Sequence, residues 1–171
     1  IRKYFPKYNN ILELKNSKIK FFKKNKDSLL ELEGLIKLDD NFDNFNIKQT
    51  FNNKNKKYNV SGLVNLNNSR IVIPELNYSK DTKKISEVVF DFNFKLNKYL
   101  NIKKILFSSN NTKINISNLK MNKNFEINDF ENIEVKTFKN ENMNNDFIIK
   151  KSNNINIKGE LFDAEPLLKS L

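Results

Sequence analysis

Carboxylates are the one class of side chain in this sequence spaced as reactive or metal-binding groups often are. The run "DDNFDNF", residues 39–45, sets Asp39, Asn41 and Asp43 on alternate positions. Oxygen donors at that spacing open calcium loops. The glycine expected at the sixth place is Asn44, and the closing glutamate place holds Thr50. The run therefore reads as a solvated turn. Glu31 and Glu33 alternate with Leu30 and Leu32, which puts both on the polar face of a strand. Asp163 and Glu165 suit the start of a helix. No pair comes with a nucleophile that a general base could activate. The chain has no Cys and no His, so thiolate and imidazole chemistry and the common zinc ligands are missing. Three scattered glycines cannot build a phosphate loop. The expectation is a protein that is not an enzyme and takes no metal or cofactor.

Charge points in the same direction. The net charge is +11, from 31 basic and 20 acidic residues, but only Arg2 and Arg70 are arginines. A/T-rich codons encode Lys, Asn, Ile and Phe together, which accounts for the excess of lysine. The lysines are spread along the chain, with "KNKKY", 54–58, as the nearest thing to a cluster. Nucleic-acid recognition favours arginine forks and exposed aromatics among basic residues. Here the phenylalanines alternate with polar residues, so no nucleic-acid partner is expected.

The elements that must hold these residues are strands. "EVVFDFNFKL", 87–96, places Phe90, Phe92, Phe94 and Leu96 on every second position, which is strand spacing. Similar runs recur along the whole chain, from "ILEL" near the start to "NINIKGELF" near the end. Asn, Lys or Asp breaks separate them by short intervals. Asn tolerates left-handed backbone angles and bonds its own main chain, so it takes the turns that glycine and proline would otherwise hold. About a dozen strands joined by short turns predict a sequential antiparallel sheet. The single expected helix is short, over "PLLKSL", capped by Asp163 with Pro166 in its first turn. Residues 1–171 read as one repetitive segment, beginning at Ile1 rather than Met, of a longer protein.

Such a sheet hides one face. With no helices to cover it, it becomes a β-sandwich, a barrel or a curled trough with an apolar lining. The trough is the expectation adopted, with the sandwich as the alternative. Its lining is expected to be Val64, Leu66, Ile71, Ile73, Phe90, Phe92, Phe94, Leu96, Ile105, Phe107, Ile114, Ile116, Leu119 and Met121. A lining of this kind needs contiguous apolar side chains and no catalytic group.

The stretch "NINIKGELFDAEPLLKSL" resembles the strand–Gly–x–x–x–Asp–x–x–Pro–Leu–Leu junction of AsmA-like envelope proteins, particularly the YhdP branch. The matching residues are Ile155, Ile157, Gly159, Asp163, Pro166, Leu167 and Leu168. The likeness covers 85–171; residues 1–84 share the β-rich character. Glu165 departs from the basic residue that members often carry there. The resemblance implies a periplasmic protein of a Gram-negative envelope, anchored in the inner membrane by a helix outside this segment. It implies a hydrophobic β-groove that passes phospholipid toward the outer membrane, with outer-membrane or periplasmic proteins as further partners. The competing expectation is a structural or protein-binding β-sandwich of the envelope, with no lipid.

Overall fold

A computed structural model describes residues 3–6, 8 and 11–169, apart from the side chain of Leu167. The chain is almost all strand. β1 (Glu13–Lys24), β2 (Asp27–Lys37), β3 (Phe42–Asn52) and β4 (Lys57–Asn65) follow one another up and down. An excursion then holds β5 (Ile71–Ile73), one 3-10 turn (Pro74–Leu76) and β6 (Tyr78–Lys80). The meander resumes with β7 (Ser86–Lys95), β8 (Tyr99–Ser109) and β9 (Thr112–Asn122). It ends with β10 (Ile127–Asp129), β11 (Asn132–Lys139), β12 (Asn142–Lys151) and β13 (Ile155–Leu161).

All but β5 and β6 form one 11-stranded antiparallel sheet, ordered β1-β2-β3-β4-β7-β8-β9-β11-β12-β13, with β10 paired to β9. The sheet is not closed into a barrel: β1 and β13 are its edges. No second sheet of comparable size faces it among the described residues; β5 and β6 pair only with each other.

Asparagine makes the turns as its chemistry predicts. Asn25–Lys26 and Asn140–Glu141 carry positive φ at both positions, the geometry that suits two-residue hairpins. Asn97 and Asn110 are also left-handed. Leu96 sits just before Asn97 and therefore leaves the strand. It lies in the β7–β8 turn and is 65% exposed, so it extends past the face that Phe90, Phe92 and Phe94 share.

"RIVIPELNY", residues 70–78, is one of the alternating runs between "ILEL" and "NINIKGELF" and on that pattern predicts another strand of the sheet. Instead it folds out as β5 and β6 and lies on the apolar face of the sheet at one end of the strands. Ile71 and Tyr78 pack there with Leu66, Phe107, Ile114, Val135 and Phe147 as the closed core. Polar clasps hold this cover down. Asn144 and Asn145 each donate to the Leu76 carbonyl (3.1 and 2.9 Å). The left-handed Asn77 donates to Asp163 (2.9 Å) and Glu165 (2.7 Å). The Asn77 amide is the main reason the Asp163 carboxyl lies below its usual range. Asp163 also accepts the Glu165 N–H (3.1 Å), but only a single helical turn follows, Glu165–Leu168. That is less than the helix expected over "PLLKSL"; Ser170 and Leu171 lie outside the described residues.

The acidic run is not a solvated turn. Asp39 and Asp43 are buried. Asp43 accepts the Asn68 N–H (2.9 Å) and the Ser69 hydroxyl (2.7 Å), and Asp39 accepts the Arg70 N–H (2.8 Å). The two carboxylates thus tie the β2–β3 turn to the start of the excursion. Beside them Lys80 is 1% exposed and donates to the Leu66 carbonyl (2.6 Å). Burial pushes its ammonium below the ordinary value of 10.5, against the pull of Asp43.

A base whose folded pKa is depressed binds its proton more weakly when folded than when unfolded. Stability therefore rises with pH as the solution approaches 10.5 from below. In urea titrations, Lys80 is expected to contribute a gain in stability over that window, opposite in sign to that of Tyr78, whose hydroxyl pKa burial pushes up. The gain should shrink in Lys80→Met. A slope unchanged by the substitution would refute this account of Lys80.

Candidate functional site

Cross-strand pairing decides which side chains share a face. Phe90 sits opposite Gly62 and Ile105, Phe92 opposite Val60 and Ile102, and Phe94 opposite Tyr58 and Leu100. The rows continue outward. Val60 meets Gln49, Gly62 meets Ile47 and Tyr58 meets Phe51; these meet Leu30, Leu32 and Ser28 of β2. On the other side Ile105 meets Ile116, Ile102 meets Leu119 and Leu100 meets Met121. Ile116 meets Ile133, which meets Ile149 and then Ile157. One face is thus mainly apolar from β1, where Ile19 and Phe21 sit opposite Leu32 and Leu30, to β13, with Ser28 and Gln49 as polar members.

Two extra residues keep it in phase. Lys103 of β8 and Asn118 of β9 are skipped by the ladder, and Asn118 takes φ 53°. Such bulges explain why Ile102 and Ile105, and Ile116 and Leu119, point the same way although each pair is three residues apart.

The opposite face is charged and largely self-neutralised. Lys18 pairs with Glu33 (3.5 Å), Lys48 with Glu31 (3.3 Å), Lys103 with Asp91 (3.2 Å) and Lys136 with Asp146 (3.3 Å). Glu31 and Glu33 are therefore cross-strand partners on the polar side. Exposed pairs of this kind each contribute only about 0.2–1 kcal/mol.

The excursion divides the apolar face into two zones. Toward the β2–β3 turn it is closed. Leu66, Ile71, Phe107 and Ile114 are buried in the core, with Val64 and Ile73 packed against it. Of these expected lining residues, Leu66, Phe107 and Ile114 are core beneath the cover, Ile71 is core from the cover itself, and Val64 and Ile73 are partly buried against them. Leu66 lies just beyond β4, and Ile71 and Ile73 belong to the cover itself. Toward the opposite turns the face is only half-buried. Phe90, Phe92, Phe94, Ile105, Ile116 and Met121 lie in this open zone with partial exposure; Leu119 lies there too but is buried. Leu100 and Ile102 share it, although the alternation was not followed through them.

Aromatic rings dominate the open zone. Phe51 lies 4.6 Å from Tyr58, which stacks on Phe94 at 4.8 Å with the planes 8° apart. Phe92 follows at 6.3 Å from Phe94, and Phe90 at 5.8 Å from Phe92. The five rings form a ladder that crosses three strands and then runs along β7. Its end opens into a hollow of about 390 Å³ lined by Phe51, Tyr58 and Leu96 with Lys54, Lys56, Lys95 and Lys98. Sequence reading found only the 54–58 part of this gathering, because Lys95 and Lys98 lie some 40 residues further on and only the up-and-down topology brings them to the same end.

Gly62 makes room for the ladder. A Cβ there would lie 2.5 Å from the Asn46 carbonyl oxygen and 2.8 Å from Cζ of Phe90, so the Phe90 ring rests on bare backbone. Gly159 is similarly confined, 2.3 Å from the Asp146 carbonyl oxygen where β13 bulges. No group of acidic, His or Cys side chains that could hold a metal ion occurs among the described residues. None of their helices is long and apolar enough to cross a membrane.

No protein-family model, curated protein or solved structure matches this chain. The likeness to AsmA-like proteins rests on the quoted residues alone.

Gly62→Val should displace the Phe90 ring and strain the β3–β4 ladder. Overpacking of this kind costs about 1–3 kcal/mol. The expected readout is a lower midpoint in urea with an unchanged slope. Phe90→Ala in the same background should recover part of the loss; no recovery would mean that the contact with Phe90 is not the cause.

Proposed function

We propose that this chain is one stretch of a curled, non-enzymatic β-groove that carries phospholipid acyl chains across the periplasm of a Gram-negative envelope. The inner membrane is reached through an anchoring helix outside this segment, and the cargo moves toward the outer membrane. The observation that carries the reading is the half-exposed aromatic ladder on an apolar face that continues from strand to strand.

Size supports it. The open zone runs about five residues along each central strand, roughly 16 Å at ~3.3 Å per residue. One leaflet of hydrocarbon is about 15 Å thick, half of a ~30 Å layer. Energy supports it as well. Each CH₂ moved out of water is worth about 0.8 kcal/mol, so an acyl chain of about 16 carbons costs on the order of 12 kcal/mol to carry through water. A half-buried face of Phe, Ile, Leu and Met removes most of that cost without a tight site. Continuity from β1 to β13 lets a chain slide sideways across strands. The apolar residues at both edges, Phe21 (61% exposed) and Ile157 (67% exposed), extend the path to the two ends of the sheet.

Photo-crosslinking amino acids at Phe92 and Ile116 should capture phospholipid in Gram-negative cells. The same probe at Lys104, on the charged face, should not. Equal labelling at all three positions, or no lipid adduct at Phe92 and Ile116, would refute the conduit.

A further inference from the structure

The open end of the apolar face is also the most basic part of the molecule. Three turns meet there, between β1 and β2, β3 and β4, and β7 and β8. Residues 23–27, 53–57 and 95–98 hold eight lysines and a single carboxylate, Asp27. That carboxylate is already engaged by the Asn53 N–H (2.7 Å). The other end of the same strands differs: the β2–β3 turn carries Asp39 and Asp40, and Asp43 opens β3.

Several lysines along the strands pair across the ladder on the charged face, among them Lys18, Lys48, Lys103 and Lys136. Lys54, Lys56, Lys95 and Lys98 pair with no carboxylate among the described residues. They ring the 390 Å³ hollow whose floor is Phe51, Tyr58 and Leu96. Unbalanced cations around an apolar floor match a molecule with a negative head and a greasy tail. Lysine, a compact point charge with rotatable donors, suits a phosphate that is held without fixed geometry.

From this arrangement we infer that the hollow seats the headgroup of a phospholipid with net negative charge, while its acyl chains lie along the ladder from Tyr58 to Phe90. The assignment rests on the conduit reading and narrows it. Cargo is selected for anionic headgroups, and it enters head-outward at this end of the strands. The four lysines are positioning and selectivity residues.

The test uses the intact protein and phospholipids with the same fluorescent acyl chain. One carries a phosphoglycerol head, net negative; the other carries phosphocholine, net neutral. The wild type should bind the anionic lipid about tenfold more tightly at low salt, with the preference shrinking as salt rises. Lys54→Gln, Lys56→Gln, Lys95→Gln and Lys98→Gln combined should erase the preference, with the anionic lipid losing more affinity than the phosphocholine lipid. The four Lys→Arg changes should restore it. Equal affinity of the wild type for the two lipids, or a preference that survives the Gln changes, would overturn the headgroup assignment while leaving the conduit intact. Binding of neither lipid would overturn the conduit and the headgroup seat with it. If the Gln changes abolish adhesion to vesicles of anionic lipid but leave the single-lipid preference untouched, the lysines serve a bilayer surface instead, and the assignment fails.

Discussion

Register is the constraint from which the rest of this structure follows. Side chains alternate with a period of two, so a slip of one residue between any two strands would carry a whole apolar set to the opposite face. In this sheet most pairs on the apolar face join like with like, as in Val60 to Phe92, Phe90 to Ile105, Ile105 to Ile116 and Ile133 to Ile149, with Gln49 and Ser28 as exceptions. Where the sequence falls out of phase, bulges at Lys103 and Asn118 restore it at the same level in neighbouring strands. Turn chemistry enforces the same order. Left-handed asparagines at tight corners leave little freedom for neighbouring strands to slide. The greasy face, its aromatic ladder and its ion-paired back are all consequences of that phase being kept.

Much of this was readable from local pattern. The run from Phe90 to Phe94 alternates too regularly for a helix, and the asparagines marked most of the corners. Alternation is a nearest-neighbour property, and the sheet is built from neighbours in sequence, so the strands were legible. What escaped was whatever depends on distant segments meeting. "RIVIPELNY" has strand composition, and nothing local says that it leaves the sheet to lie across it. Its fate is set by bonds to the far end of the chain: Asn77 donates to Asp163, and Asn144 and Asn145 donate to the Leu76 carbonyl. Leu96 continues the alternation perfectly and was placed in the lining on that ground. The turn at Asn97, one residue later, removes it. Beyond the 54–58 run, the lysine gathering was hidden for the same reason, because Lys95 and Lys98 join it only through topology.

The buried polar corner follows a related rule. Asp39, Asp43, Ser69 and Lys80 are an improbable set to remove from water, and alone each would be costly. Together they satisfy the backbone of residues 66–70, the stretch between β4 and β5 that has no ladder: the Asn68 and Arg70 N–H groups donate to the carboxylates, and the Leu66 carbonyl accepts from Lys80. The acidic run resembles the opening of an ion-binding loop because both tasks need closely spaced carboxylate oxygens. Here those oxygens serve main-chain donors.

The excursion between β4 and β7 has a further consequence. These two strands are direct neighbours in the sheet, so the 20 residues that separate them add nothing to its pairing. The reach of that connection can change without disturbing a single rung. A shorter one would strip the lid from Phe107 and Ile114; a longer one would advance over Phe90 and Phe92. The length of this connection thus sets how much of the apolar face is covered, independently of the strands beneath it.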